Sequence, residues 1–160
     1  MTETTTFWDD FETGRSETFG RYEVTAEEIV EFAGKYDPQP FHLDPEAAKQ
    51  SIFGGLCASG WHTCAMFMRM LVDHFQSQGM ASLGSPGVER IQWKKPVFPG
   101  DILHVEGEIV DKRASRSKPD LGSVTSAYRV YNQRGEEVMS LDTTGFFRRR
   151  PEAAAAAEQE

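Results

Sequence analysis

The sequence contains little cysteine, no excess of positive charge and no metal-ligand pattern. Its 160 residues include two cysteines, Cys57 and Cys64, whose spacing matches neither a disulfide framework nor a zinc site. The formal net charge is −8 and the isoelectric point is about 5.0, whereas general nucleic-acid binding needs a basic surface that neutralises phosphates. We therefore predict no metal, no nucleic-acid partner and two small buried thiols in a reducing compartment.

Long apolar segments are also absent. Residues 1–6 are a methionine followed by threonines and one glutamate, without the basic region and apolar run of a secretion signal. No other segment supplies the roughly 20 predominantly apolar residues that a helix needs to cross a bilayer. These absences predict a cytoplasmic protein with no membrane partner.

The composition is that of one globular domain. A chain of 160 residues with 39% hydrophobic residues can bury a substantial core. We predict a flexible N-terminal lead over 1–9, one domain over 10–148 and a disordered, alanine-rich tail over 149–160. No internal repeat divides the domain.

Helix signals dominate the first half of the chain. The segment 25–35 begins with a capping box, in which Thr25 and Glu28 are expected to exchange side chain to backbone hydrogen bonds. An Asp-Pro pair predicts a short helix over 45–50. Over 60–78 apolar residues cover most of the helical circumference, which predicts a long helix in the middle of the domain.

Strand signals dominate the second half. Alternating apolar and polar residues predict strands over 87–95, 102–111, 124–132 and 136–148, after an early strand over 17–22. The simplest packing for these elements is a curved antiparallel sheet wrapped around the long helix, an α+β fold. Such a sheet has open edges, so we also predict pairing with a second copy.

The segment 36–45 combines three prolines with an acid and a base. The prolines reduce the freedom of the unfolded chain and make the polar residues between them easier to hold in place. Asp37 and His42 lie five residues apart on this loop. A carboxylate and an imidazole that share one water can take a proton from it and return a proton to the same face of a double bond. Alternatively, Asp37 caps a turn and His42 is an ordinary loop histidine.

Gly60 is the first residue of the predicted long helix. A backbone amide at a helix N-terminus can stabilise negative charge on a carbonyl oxygen, and a glycine lets a ligand approach closely. The alternative is a glycine required only for packing, and the two interpretations are compatible.

Three motifs resemble those of the MaoC-like dehydratases, a hot-dog-fold family that includes (R)-specific enoyl-CoA hydratases. Residues 37–45, Asp-Pro-Gln-Pro-Phe-His-Leu-Asp-Pro, resemble the family motif Asp-x-Asn-Pro-apolar-His-x-Asp-Pro, with Gln39 in place of asparagine. Gly60 follows the motif's histidine by eighteen residues, and 93–101 ends in Pro-Gly-Asp, as in the family. The resemblance covers roughly 10–148.

The resemblance implies an α+β hot-dog fold and a hydro-lyase that needs no cofactor. The implied reaction is reversible syn hydration of a trans-2-enoyl-CoA to a (3R)-hydroxyacyl-CoA, with Asp37 and His42 moving protons and the Gly60 amide polarising the thioester. The implied partner is an acyl-CoA or acyl-carrier thioester, and the implied assembly is a homodimer or a set of dimers. Two alternatives remain open, a hot-dog acyl-CoA thioesterase and a non-catalytic acyl-CoA-binding module.

Four further residues are candidates for substrate binding. Gln39 either contacts the thioester region or supports the loop, and Ser59 either contacts substrate or caps the long helix. Arg113 and Arg116 lie in a basic loop, 112–118, that can supply charge-assisted hydrogen bonds to the phosphates of coenzyme A. This loop can act across a dimer interface, and the alternative is a solvated hairpin loop.

Overall fold

A curved five-stranded antiparallel sheet packed against one long helix forms the domain in the computed structural model, which describes residues 4–159. The strand order is β1-β3-β4-β5-β2. The strands are β1 Ser16–Glu23, β2 Ser82–Trp93, β3 Ile102–Ala114, β4 Leu121–Tyr131 and β5 Glu137–Arg148. The predicted α+β architecture is confirmed.

The described residues also form five α-helices and a short 3-10 helix. They are the 3-10 helix Trp8–Asp10, α1 Ala26–Tyr36, α2 Pro40–Leu43, α3 Pro45–Lys49, α4 Gly60–Ser77 and α5 Pro151–Ala157. The sequence predicts α1, α3 and α4 but not α2, which is a single turn inside the proline-rich loop. Pro40 occupies its first position, where the missing N–H has no intrahelical partner to lose. Across residues 4–159 no helix has the length and hydropathy needed to span a bilayer.

The long helix α4 presents two different apolar faces. The face towards the sheet is buried and includes Met66, Phe67, Met70 and Leu71. The other face carries a stripe that is exposed in the single chain, Trp61, Ala65, Met68 and Val72. The spacing of this stripe places its members on one side of the helix. The apolar residues that surround this helix in the sequence therefore form two faces, one buried in the core and one exposed.

The strand β2 begins five residues before the predicted start at position 87. Its pairing with β5 shifts register between Ser82 and Gly84, between Gly84 and Gly87, and again between Val88 and Arg90. Each irregularity breaks the two-residue alternation that marks a strand in sequence, so the pattern hides the first half of β2. Within residues 4–159 β2 pairs only with β5, so it is an open edge of the sheet.

The described part of the N-terminal lead packs on the domain. Residues 1–3 lie outside the described range. The Thr6 amide donates to the Gly79 carbonyl at 2.8 Å, and the Trp8 indole N–H donates to the Ser123 carbonyl at 3.0 Å. The Trp8 ring lies directly over Gly122, where an added Cβ would approach its Cγ to 2.5 Å. The structure thus differs here from the flexible lead that the polar composition predicts.

The C-terminal tail also differs from its prediction. The sequence predicts disorder from residue 149, and the structure forms α5 over Pro151–Ala157. Alanine has the highest helix propensity, and a proline at the first position suits a helix start. The Asp9 carboxylate holds the start of this segment, because it accepts from the Arg149 guanidinium at 3.2 Å and the Arg150 amide at 2.7 Å.

Candidate active site

Asp37 and His42 come together where α1 ends and α2 begins. Asp37 is the C-cap of α1, and its amide donates to the Ala33 carbonyl at 2.9 Å. His42 lies in the single turn of α2. The stiff segment between them leaves the Asp37 Oδ2 and His42 Nε2 atoms 3.4 Å apart. The structure therefore places this predicted acid and base side by side.

The hydrogen bond made by His42 indicates which tautomer its neutral ring adopts. The ring is buried, with 6% of the residue exposed. Its Nδ1 lies 2.6 Å from the Cys57 carbonyl oxygen. A carbonyl oxygen only accepts hydrogen bonds, so Nδ1 carries the proton of the neutral imidazole and Nε2 carries the lone pair. That lone pair is on the side of the ring that meets the Asp37 carboxylate.

Asp37 is held as an anion by two donors. The Ser59 hydroxyl donates to Oδ2 at 2.7 Å, and the Gln39 amide donates to Oδ1 at 2.6 Å. Burial raises the pKa of Asp37, but the hydrogen bonds from Ser59 and Gln39 outweigh it and hold the pKa below its usual value. Gln39 therefore supports the loop, which is one of the two roles predicted for it. Its amide nitrogen is used in the hydrogen bond to Asp37.

Ser59 joins Asp37 to the start of α4. Its side-chain oxygen accepts from the Trp61 amide at 3.3 Å, as an N-cap does, while its hydroxyl donates to Asp37. The residue is fully buried and is not among the residues that line the cavity described below. The N-cap interpretation is confirmed, and a substrate contact for Ser59 stays a prediction.

Gly60 begins α4 with its backbone against an indole ring. A Cβ added to Gly60 would lie 2.5 Å from Cε2 of Trp93, a distance that real Cβ atoms do not show. Within residues 4–159 the Gly60 amide has no hydrogen-bond acceptor. The positive end of the helix dipole and an unused N–H therefore coincide at this residue.

A cavity of about 290 Å³ opens beside these groups. His42 and Gly60 form part of its wall. Phe53, Trp93, Lys94, Lys95 and Val97 are among its other lining residues. The amino groups of the two lysines pair with carboxylates on β5 and in the turn before it. No sequence pattern marks these five residues as site components, although Trp93, Lys94, Lys95 and Val97 lie in the third of the matched motifs.

The basic loop lies at the other end of the sheet. Val105 lies near the end of β3 that is on the same side of the sheet as the site. Arg113 follows Val105 by eight residues, a separation of about 26 Å along an extended strand. Arg113 pairs with Asp111 at 3.2 Å, and Arg116 lies in the turn between β3 and β4. Within a single chain the structure does not bring these arginines to Asp37 and His42.

Comparison with known proteins assigns the family. Residues 10–130 match the model of the MaoC-like domain. The chain belongs to the MaoC-like dehydratase family. Its fold is the hot-dog fold predicted from the three motifs. No group of three or more His, Cys, Asp or Glu side chains in the described part of the chain is arranged to hold a metal ion.

Three relatives illustrate the range of similarity. The crystal structure of a MaoC-like dehydratase from Rhodospirillum rubrum is 44% identical, with a TM-score of 0.82, and the match covers 91% of this chain and 99% of that one. The uncharacterized protein YdeM of Bacillus subtilis is 29% identical over 88% of this chain and 98% of its own length. A 3-hydroxybutyryl-CoA dehydratase of Methylorubrum extorquens is 25% identical over 75% of this chain and 74% of its own length.

Proposed function

We propose that the protein catalyses the reversible hydration of trans-2-enoyl-CoA thioesters to (3R)-hydroxyacyl-CoA thioesters. The observation that carries this proposal is the lone pair of His42 Nε2 beside the Asp37 carboxylate, 3.4 Å away, at the cavity where α4 begins. The similarity to a 3-hydroxybutyryl-CoA dehydratase supports the same reaction class. No cofactor takes part in the proposed reaction.

The Asp37–His42 pair activates the water. A water that bridges Asp37 Oδ2 and His42 Nε2 is polarised by an anion on one side and an imidazole lone pair on the other. Its oxygen bonds to the β-carbon of the enoyl group while the pair accepts one of its protons. The pair then returns a proton to the α-carbon. Because one pair of side chains performs both transfers, the two new bonds form on the same face of the double bond.

The Gly60 amide stabilises the intermediate charge. Attack at the β-carbon moves negative charge onto the thioester oxygen. The Gly60 N–H has no acceptor in the described chain and lies at the positive end of α4. Loss of one such donor typically lowers the rate by about 10² to 10³. The packing of Trp93 against Gly60 also leaves no room for a side chain at this position.

We propose that the active unit is a homodimer formed through α4 and β2. The exposed stripe of α4 includes Trp61 with 58% exposure, Met68 with 49% and Val72 with 38%. The adjacent edge strand β2 exposes Leu83, Val88 and Trp93. An apolar helix face beside an unpaired sheet edge is unfavourable in water, and a second copy covers both.

Such a dimer also gives the basic loop a role. If two β2 strands pair antiparallel about a two-fold axis, the loop end of one sheet lies at the site end of the other. Arg113 and Arg116 of the second copy then lie at the same end of the assembly as Asp37 and His42. We propose that they meet the phosphates of the carrier, since Arg113 is 82% exposed at its side chain and, among residues 4–159, its only ion pair is with neighbouring Asp111.

The test is an assay of purified enzyme on crotonyl-CoA and longer trans-2-enoyl-CoA thioesters. Loss of the enoyl thioester absorbance reports hydration, and a thiol reagent reports hydrolysis in the same samples. We expect loss of absorbance without thiol release, and a large loss of rate in Asp37→Asn and His42→Ala. Thiol release would identify a thioesterase instead. Tight acyl-CoA binding without turnover across the panel would identify a binding module.

A further inference from the structure

His62, in the first turn of α4, holds this turn against α1. Its side chain is 3% exposed, and its Nε2 lies 3.0 Å from Glu28 Oε1. Its ring stacks on Phe32, with centroids 4.8 Å apart and planes inclined by 12°. Glu28 and Phe32 are one helical turn apart on α1, so His62 contacts two successive turns of that helix. The first turn of α4 and the helix α1 are thereby fixed to each other.

Glu28 is diverted from its predicted partner to make this contact. The capping box predicts that its carboxylate reaches back to the Thr25 amide. Only the reciprocal bond forms, from the Glu28 amide to Thr25 Oγ1 at 3.2 Å. The carboxylate instead accepts from the Tyr22 hydroxyl and lies against His62. Burial raises the pKa of Glu28, but the hydrogen bonds from Tyr22 and His62 outweigh it, so the pKa is lowered and the acceptor is an anion.

The two elements joined by His62 carry the two halves of the site. The helix α1 ends in Asp37 as its C-cap, and α4 begins at Gly60, two residues before His62. We propose that His62 is a positioning residue that sets the Gly60 amide relative to the Asp37–His42 pair. This inference rests on the proposed hydration, in which both halves must meet the same enoyl thioester.

A second histidine on α4 provides a matched control. His74 Nε2 lies 2.7 Å from Glu17 Oε2, and the His74 ring stacks on Phe19 at 4.1 Å with a 6° inclination. His74 therefore has the same pair of partners as His62, a glutamate and a phenylalanine. It lies twelve residues further along α4, which is about 18 Å. It contacts β1 rather than α1, so it joins no element that carries Asp37.

The experiment compares His62→Phe with His74→Phe. Phenylalanine keeps an aromatic ring for stacking and removes the hydrogen bond to glutamate in both variants. We expect both variants to lower the melting temperature. Only His62→Phe should lower kcat, by about tenfold to hundredfold if the reacting groups are misplaced by an ångström or so, with KM nearly unchanged. His62→Gln, which keeps an amide N–H close to the position of Nε2, should recover most of the lost kcat.

Two results would overturn the inference. One is a His62→Phe variant with the kcat of wild type, and the other is an equal loss of kcat in His62→Phe and His74→Phe. If His62→Phe does not fold, Glu28→Gln is compared with Glu17→Gln by the same criteria.

If the wild-type enzyme shows no turnover, the proposed function is refuted. The positioning role of His62 is then tested without an activity assay. The NMR shift and hydrogen exchange of the Gly60 amide should then change in His62→Phe and stay unchanged in His74→Phe. No change in either variant would overturn the positioning role as well.

Discussion

Replacing Ser59 with alanine removes a hydroxyl that serves two neighbours. The hydroxyl donates to Asp37 Oδ2 at 2.7 Å, and its oxygen accepts from the Trp61 amide at 3.3 Å. Ser59 is fully buried, so bulk water does not replace these bonds. We expect the substitution to destabilise the fold and to raise the pKa of Asp37.

The size of the stability loss follows from the two bonds. Loss of a serine N-cap typically costs about 1 kcal/mol. Loss of a hydrogen bond to a charged group costs about 1.5–3 kcal/mol. Together they predict a loss of roughly 2.5–4 kcal/mol in the free energy of unfolding. For a chain of this length each kcal/mol shifts the melting temperature by about 2–4 °C, so the fall should be roughly 5–15 °C.

The pH dependence of this loss has a definite sign. The pKa of Asp37 is lower in the folded protein than its usual value. The ionised carboxylate therefore stabilises the fold above the unfolded pKa of about 3.9, and this contribution disappears as the pH falls through the lower folded pKa. The penalty of Ser59→Ala should be largest at neutral pH. In acid it should shrink towards the loss of the N-cap alone.

The assays are thermal unfolding across pH and an NMR titration of the Asp37 carboxyl carbon. Gln39→Ala is the control, because Gln39 donates to the other carboxylate oxygen at 2.6 Å but is exposed and caps no helix with its side chain. It should raise the pKa of Asp37 less than Ser59→Ala does and leave the melting temperature nearly unchanged. An unchanged Asp37 pKa in Ser59→Ala, or a larger rise in Gln39→Ala, would refute the reasoning.

Two further predictions concern Gly60 and the α4 stripe. Gly60→Ala brings a methyl group within 2.5 Å of the Trp93 ring. We therefore expect urea unfolding to show a loss of about 1–3 kcal/mol in the free energy of unfolding, together with a lower kcat. Wild-type stability would contradict the packing, and a wild-type rate would contradict the donor role. Met68→Glu should convert the dimer to a monomer in sedimentation experiments, whereas Val110→Glu, at a 50% exposed position on β3, should not; a dimer that survives Met68→Glu would exclude this helix face as the interface.

Sequence patterns predicted the elements whose signals are local. Thr25 and Ser59 cap the helices that they precede, and both start signals lie within a few residues of the helix. The start of β2 was missed because bulges at Gly84 and Gly87 remove the alternation. The two faces of α4 were not distinguished, because sequence alone does not say which apolar face meets the sheet.

The same distinction between local and distant signals applies to the site. Asp37 and His42 lie in one short motif and were found together. The carbonyl of Cys57, which defines the tautomer of His42, comes from fifteen residues away. Trp93 reaches the site from the end of a distant strand. The position of Arg113 depends on the register of β3, β4 and β5, which no local pattern specifies.

The most direct test of the proposed chemistry is the stereochemistry of hydration in heavy water. Crotonyl-CoA is converted by the wild-type enzyme in D₂O, and NMR of the product identifies the configuration at the α- and β-carbons. Because Asp37 and His42 act on one face of the double bond, we predict that deuterium and hydroxyl add syn, and the proposed reaction predicts that the product is (3R). Asp37→Asn should form this product far more slowly. Anti addition or a mixture at the α-carbon would contradict the one-face mechanism, and a (3S) product would contradict the proposed (3R) reaction.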